Sequence, residues 1–233
     1  MAAGTKFPVL QEQIGIQEKL AVFLAFIAGY VDAMGFVKWK TYVSFMSGNT
    51  TQLGTALSNG KPGVVVTSVT VISCFLMGIY SGTCISICKR LKSQALPVFI
   101  VAFILSIYMV VSYYYSIGPL PSVAIIGFSM GLLNTVVTAI GAQKVNTDFI
   151  TGTLNSLAVN TARFTMTHNP ERKQYKANVI YLTILWIGFL SGAFVVPFFL
   201  PLLGNYALSI PALFLSVCGL LISHQSYKLK KQL

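Results

Sequence analysis

Residues 95–117 read ALPVFIVAFILSIYMVVSYYYSI and contain no charged side chain. A helix of about 20 apolar residues is long enough to cross the ~30 Å hydrocarbon core of a bilayer. Helices are favoured there because lipid offers no hydrogen-bond partner for unpaired backbone groups. Similar apolar runs occur at 20–37, 63–88, 120–141, 177–203 and 205–226. The sequence therefore predicts an all-α membrane protein with six transmembrane helices.

Composition supports a membrane protein and argues against a soluble domain. Of the 233 residues, 55% are hydrophobic and only 9% are charged, whereas a soluble domain carries roughly 25% charged residues. The net charge of +11 comes from basic residues that flank the apolar runs. This distribution favours control of topology over binding of nucleic acid, so the lipid bilayer is the expected partner. The N-terminal 19 residues lack the pattern of a cleaved secretory signal.

Two segments, 41–58 and 147–162, are too polar for ordinary lipid-facing spans. If neither crosses and the N-terminus is inside, 13 of the 16 Lys and Arg residues lie inside; if both cross, only 10 do. The positive-inside rule favours the first arrangement, with both termini cytoplasmic. We therefore interpret both segments as re-entrant or broken helices, which are tolerated where protein or water lines them. Full crossing remains the alternative.

The chain contains an internal repeat within a single membrane domain, 1–233. Four pairs of motifs occur in the same order, at offsets of 102, 104, 110 and 110 residues. The first repeat covers about 18–117 and the second about 119–228. Three full spans per repeat would insert the second repeat in the opposite orientation, the plan of many secondary transporters. The matching stretches are 29–32 with 131–134, 44–49 with 148–153, 78–82 with 188–192, and 105–106 with 215–216.

Asp32 is the only acidic residue inside a predicted full span. A carboxylate in lipid costs at least ~2.5–3.5 kcal/mol on insertion scales, so it should face a cavity or a partner. One interpretation is a proton or cation site, or an anchor for a substrate. The other is a structural hydrogen bond to the re-entrant segment. Both can hold together.

Two glycine-containing motifs recur in the two polar segments. Each is predicted to place glycine at a helix break, where the free N–H groups of the following short helix suit an anion or a polar solute. A simple helix cap is the alternative. We expect Asp32, Asn49, Asn134 and Thr153 to lie together near the membrane midplane. The predicted binding residues are Asp32, Ser47, Gly48, Asn49, Thr50, Asn134, Thr151, Gly152 and Thr153.

Gly78 with Gly82, and Gly188 with Gly192, form GxxxG pairs that favour close helix packing. The four cysteines all lie in apolar runs. Cys84 and Cys88 are one helical turn apart, but small apolar packing residues are the favoured interpretation over metal ligands. We expect no metal, no cofactor and no catalytic site.

The motifs Ala28-Gly29-Tyr30-Val31-Asp32-Ala33 and Phe45-Met46-Ser47-Gly48-Asn49-Thr50, with Leu53-Gly54 and Thr151-Gly152-Thr153-Leu154, resemble the YoaK family over about residues 18–226. This is a family of small bacterial inner-membrane proteins of unknown function. In the second half the family tends to have Gln-Asn-Ala where this chain has Leu133-Asn134-Thr135, so only Asn134 carries over. The resemblance implies six spans and the bacterial inner membrane, and it leaves the activity open.

Three functions are compatible with the sequence. A small secondary transporter or permease would carry a polar or anionic solute through a midplane site between the repeats. A scaffold or regulatory subunit would need no solute. A membrane-embedded enzyme would need paired acid and base groups or a metal, and a single buried Asp is thin support for one. The solute, the coupling ion and the presence of a homo-oligomer stay open.

Overall fold

The computed structural model describes residues 6–88, 95–136 and 150–232, with side chains described from residue 17 to 224 except 205. Every regular element in these ranges is helical. In chain order the elements are α1 (Lys6–Trp39), α2 (Met46–Ser58), α3 (Pro62–Ile87), α4 (Ala95–Tyr114), α5 (Pro119–Leu133), α6 (Ile150–Met166), α7 (Arg172–Leu203), a 3₁₀ turn (Gly204–Leu208) and α8 (Ser209–Gln232).

Five described helices are long and apolar enough to cross a bilayer: α1 from Gln17, α3, α4, α7 and the stretch Tyr206–His224. The predicted span 120–141 differs, because α5 has 15 residues and ends at Leu133, giving a length of about 22 Å. The chain continues as Asn134-Thr135-Val136, residue types with low helix propensity. Residues 137–141 of that predicted span lie outside the described part.

The two polar segments form helices that are not among the apolar spans. The segment 41–58 contains α2, whose 13 residues extend about 20 Å, less than the hydrocarbon thickness. Of the segment 147–162, residues 150–162 belong to α6 and 147–149 lie outside the described part. Both helices carry many hydroxyl and amide side chains, and several of the hydroxyls donate to carbonyl groups one turn earlier in the same helix, as those of Thr50, Thr51 and Thr161 do.

The structure divides into two compact units, and the division falls within α1 and α7. One unit comprises Tyr30–Val136 and Ala193–Leu233. In it α3 packs against α2 and α5, and α4 packs against α5 and α8. Buried apolar side chains from α3, α4, α5 and α8 form its core.

The other unit comprises Met1–Gly29 and Val137–Gly192, and its described parts come from α1, α6 and α7. Gly29 of α1 lies against the backbone of Phe189, and Gly188 of α7 lies against that of Val22. These two helices therefore approach closely through a glycine on each side. A hydrogen bond between Asn178 and Asn160, 3.0 Å long, links α7 to α6.

Candidate functional site

The Asp32 carboxylate lies inside the protein and is bound by backbone amides. Its side chain is 4% exposed. Oδ1 accepts hydrogen bonds from the backbone N–H groups of Val43 and Ser44, each 2.7 Å long. These amides belong to the loop between α1 and α2, eleven and twelve residues further along the chain. Short bonds from N–H groups to a carboxylate are of the stronger, charge-assisted kind.

Asn49, in the first turns of α2, holds the same loop from the other side. Its Nδ2 donates to the carbonyl oxygen of Tyr42 over 2.7 Å. This carbonyl and the N–H of Val43 belong to one peptide group. Asp32 and Asn49 therefore hold the two ends of the peptide group that joins Tyr42 to Val43, and we call this arrangement the 42–43 clamp.

The clamp orients the Asn49 amide and leaves its oxygen unused. Only the nitrogen end of the amide can donate to a carbonyl, so Oδ1 points away from Tyr42. Asn49 is 0% exposed, and its Oδ1 has no hydrogen-bond partner in the described part of the chain. A buried amide oxygen without a partner is costly and calls for an explanation.

Small residues let the loop fold back onto α1. A Cβ on Gly35 would meet the carbonyl oxygen of Thr41 at 2.9 Å, so a larger residue would push the loop away. At Gly48 the Cβ position is filled by the ring of Phe45. The ring of Tyr42 stacks on Phe36 at 5.1 Å and meets Phe45 edge-on at 5.3 Å. Glycine and aromatic residues together close the loop around the clamp.

The break in the first polar segment comes earlier than the sequence suggests. We predicted it at Gly48, whereas α2 begins at Met46 and already includes Ser47, Gly48 and Thr50. The amides next to the carboxylate are those of Val43 and Ser44, which precede the helix. Position 48 needs glycine because the ring of Phe45 occupies the place of a Cβ, and not because the chain changes direction there. Because Asp32 already occupies these two amides, an anion would have to compete with it there.

The remaining predicted binding residues lie at two other places. Asn134 follows the last residue of α5, and its side-chain oxygen has no partner among the described residues. Thr151, Gly152 and Thr153 lie in the first turns of α6, where Thr153 is buried and Thr151 is exposed. They belong to the other compact unit, so their grouping with Asp32 stays a prediction.

Three of the four glycines predicted to pack helices lie in close contacts. Gly78 of α3 lies against the backbone of Phe128, and Gly82 lies against Thr135. Gly188 lies against Val22, and Gly192 is buried on α7. A side chain at Gly78 would collide with a main-chain carbonyl, which cannot move away as a flexible side chain can.

Sequence reasoning missed two structural residues. It assigned no packing role to Gly131, which lies against the backbone of Phe75 from the α5 side. It also missed Lys40, which has a left-handed φ of 56° where α1 ends. The recurrence of Gly29 and Gly131 at equivalent places in the repeat was a usable signal. No local pattern marks Lys40, because glycine or asparagine is usual in that conformation.

Comparison with known proteins gives the family. Residues 20–221 match the family described as Protein of unknown function (DUF1275). The chain belongs to this family. It is 27% identical over 213 residues to the UPF0700 transmembrane protein RA0705 of Rhizobium meliloti (strain 1021), covering 91% of this chain and 87% of that protein.

A second member of the family confirms the resemblance to YoaK. The chain is 27% identical over 146 residues to the UPF0700 transmembrane protein YoaK of Bacillus subtilis (strain 168), covering 59% of this chain and 64% of that protein. No solved structure matches the chain. The DUF1275 family and the long apolar helices together identify a multi-pass membrane protein.

Proposed function

We propose that this DUF1275 member is a small secondary transporter for a polar solute, with a site beside the 42–43 clamp. The observation that carries the proposal is a carboxylate, 4% exposed, in an apolar span, bound to the loop before a helix too short to cross. Ionisable groups inside membranes mark ion and substrate pathways, and interrupted helices build the sites of secondary transporters.

Recurring burial supports two structural repeats. In α2 the buried residues are Asn49 and Ala56, and in α6 they are Thr153 and Asn160. Each residue of the second pair lies 104 residues after its counterpart, which is the offset of the polar motifs. The two short helices therefore bury the same face of the repeated sequence.

Helix contacts recur at equivalent places as well. Gly29 and Gly131, 102 residues apart, each lie against the backbone of a phenylalanine in the second long helix of the other repeat, α7 or α3. The apolar stretches of α3 and α7 are buried to the same small extent, and those of α4 and Tyr206–His224 are buried to the same larger extent. This pattern supports a symmetric origin, and inversion of one repeat follows if each holds three spans.

The chemistry available beside the clamp favours a hydrogen-bonding solute. Asp32 accepts hydrogen bonds from two loop amides, and Asn49 Oδ1 has no partner in the described part of the chain. Both groups accept hydrogen bonds. We expect a polar solute or coupling ion to reach these two groups when the loop opens. We place the protein in the inner membrane of a bacterium, with both termini of the chain in the cytoplasm.

Reconstituted protein tests this proposal. Proteoliposomes on a solid support, challenged with amino acids, organic acids, amines and inorganic anions, should give a saturable current or uptake for one class. Asp32→Asn should abolish that signal, whereas Val37→Ala, on the exposed side of the same helix, should leave it unchanged. Absence of any signal across the panel from folded wild-type protein would contradict the proposal.

A non-transporting scaffold is the second candidate, favoured by the clamp itself. Asp32 and Asn49 both use hydrogen-bonding groups to hold one peptide, as residues with a structural role would. In that case folded wild-type protein gives no transport signal, and the effect of Asp32→Asn is confined to a lower thermal stability.

A further inference from the structure

Four basic side chains surround the turn from α6 to α7. Arg163 lies in the last turn of α6, and Arg172, Lys173 and Lys176 lie in the first turns of α7. All four are exposed. Glu171 is the one acidic residue in 163–176. We call this group of four the basic elbow.

The two arginines of the elbow are held in place by a reciprocal contact. The guanidinium of Arg172 on α7 lies 4.9 Å from the ring centre of Phe164 on α6. That of Arg163 on α6 lies 5.8 Å from the ring centre of Tyr175 on α7. Arg172 Nε also donates to the carbonyl of Phe164 over 3.2 Å. Stacking on rings orients a guanidinium while its other N–H groups remain able to donate.

Glu171, the acidic residue of 163–176, forms a hydrogen bond with the neutral side chain of Tyr175. Glu171 Oε2 accepts a hydrogen bond from the hydroxyl of Tyr175, 3.2 Å long. The same tyrosine thus contacts Arg163 through its ring and Glu171 through its hydroxyl. The elbow keeps an excess of positive charge on oriented side chains.

A stripe of exposed apolar residues begins one helical turn beyond the elbow. Ile180, Ile184 and Ile187 are 51%, 48% and 50% exposed and lie on one face of α7. Lys176 precedes Ile180 by four residues, or about 6 Å along the helix. The basic elbow therefore lies where a lipid-facing surface gives way to the polar boundary of the membrane, at the level of phospholipid headgroups.

We infer that the basic elbow binds the phosphate of an anionic phospholipid of the surrounding bilayer. Positive charge of any kind would set topology, but topology does not require guanidiniums fixed on aromatic rings. A planar guanidinium binds a phosphate through two parallel hydrogen bonds, and a lysine provides only a point charge. The acyl chains of the lipid lie along the isoleucine stripe. This inference does not depend on transport.

Native mass spectrometry of the full chain in neutral detergent tests the inference. Phosphatidylglycerol should be retained in preference to phosphatidylcholine of the same chain length. The charge-conserving double variant Arg163→Lys, Arg172→Lys should bind phosphatidylglycerol about tenfold more weakly. Lys61→Gln, an exposed basic residue in the turn between α2 and α3, should leave the preference unchanged.

Three results would overturn the inference. The first is equal retention of the two lipids by the wild type, a comparison that needs no variant. The second is an unchanged preference in the arginine-to-lysine variant. The third is full competition by inorganic phosphate at millimolar concentration, which would assign the elbow to a free anion instead of a lipid.

Discussion

At the scale of single residues, the 42–43 clamp gives Asp32 and Asn49 definite and different tasks. Asp32 accepts from the N–H side of the peptide group and Asn49 donates to its carbonyl side. An ionised carboxylate at position 49 cannot donate to the carbonyl of Tyr42, and an amide oxygen at position 32 is a weaker acceptor than a carboxylate. Exchange of amide for acid therefore reverses the match at position 49, and exchange of acid for amide weakens it at position 32.

Asn49→Asp should destabilise the protein. The new carboxylate oxygen would face the carbonyl of Tyr42 in a site that is 0% exposed, so a hydrogen bond becomes a repulsion. We expect a loss of about 1–3 kcal/mol, seen as a lower thermal midpoint in detergent. Asn59→Asp in the exposed turn after α2 is the matched control and should be near neutral. Equal midpoints for the two variants would contradict the clamp.

Asp32→Asn should weaken both loop amide bonds, because the amide oxygen is a poorer acceptor than a carboxylate and Nδ2 brings competing donors. Bonds to charged groups contribute about 1.5–3 kcal/mol, so a clear drop in thermal midpoint is expected. Faster proteolysis within 40–45 than in wild type would locate the damage at the loop. An unchanged midpoint and cleavage pattern would show that the carboxylate does not hold the loop.

At the scale of helices and turns, backbone conformation and close approach decide which residues are replaceable. Lys40 ends α1 with a φ of 56°, and Gly60 in the turn before α3 has a φ of 60°. A Cβ on Gly60 would meet nothing within 4 Å, so the conformation alone selects glycine there. At Gly131 the selection comes from a neighbouring backbone instead.

Lys40→Gly should be more stable than Lys40→Ala by about 1 kcal/mol, because glycine adopts a left-handed conformation without a Cβ penalty. Comparing these two variants removes the contribution of the lysine side chain, which lies over the ring of Phe36. Gly60→Ala should lower the stability of the protein by a similar amount, because alanine is strained in the left-handed conformation of position 60. Thermal midpoints in detergent measure both, and equal midpoints for Lys40→Gly and Lys40→Ala would refute the assignment.

Three glycine-to-alanine changes should form a graded series. Gly54→Ala, with open space at the Cβ position in α2, should be neutral or slightly stabilising. Gly127→Ala meets a Val71 methyl group at 3.0 Å and should cost a moderate amount. Gly131→Ala meets the backbone of Phe75 and should be the most damaging, because α3 and α5 must move apart. Any other order of thermal midpoints would count against backbone contact as the cause.

At the scale of the whole molecule, the distribution of charge predicts the topology. With 13 of 16 basic residues on one side, the turn that contains His168 should face the cytoplasm and the turn that contains Lys61 should face outward. The two turns join α6 to α7 and α2 to α3, so they are equivalent in the two repeats. Opposite locations are the signature of an inverted repeat.

Single-cysteine labelling tests that signature in a variant lacking Cys74, Cys84, Cys88 and Cys218. Cysteine at position 61 should react with an impermeant maleimide in intact spheroplasts, and cysteine at position 168 should react only with a permeant reagent or after lysis. Labelling of both positions by the impermeant reagent would leave the repeats parallel, and the inverted arrangement would be wrong.

The sequence alone determined the class of the protein, five of its six predicted apolar spans and the resemblance to its family. These features follow from the hydropathy of neighbouring residues added along the chain. Transfer of a helix into lipid depends on its apolar content and its length, and both can be read from the sequence. It also singled out Asp32 and the two glycine motifs, because a charge in an apolar run and a repeated pattern are visible without coordinates.

Only the tertiary structure decided that Asp32 and Asn49 hold one peptide group and that Gly131 meets the backbone of Phe75. It also decided that α2 starts before Gly48. A hydrogen bond or a backbone contact between two elements depends on their positions in three dimensions. The residues next to each partner in the sequence do not reveal those positions. Burial then makes each such pairing obligatory, because neither lipid nor the protein interior supplies a substitute partner.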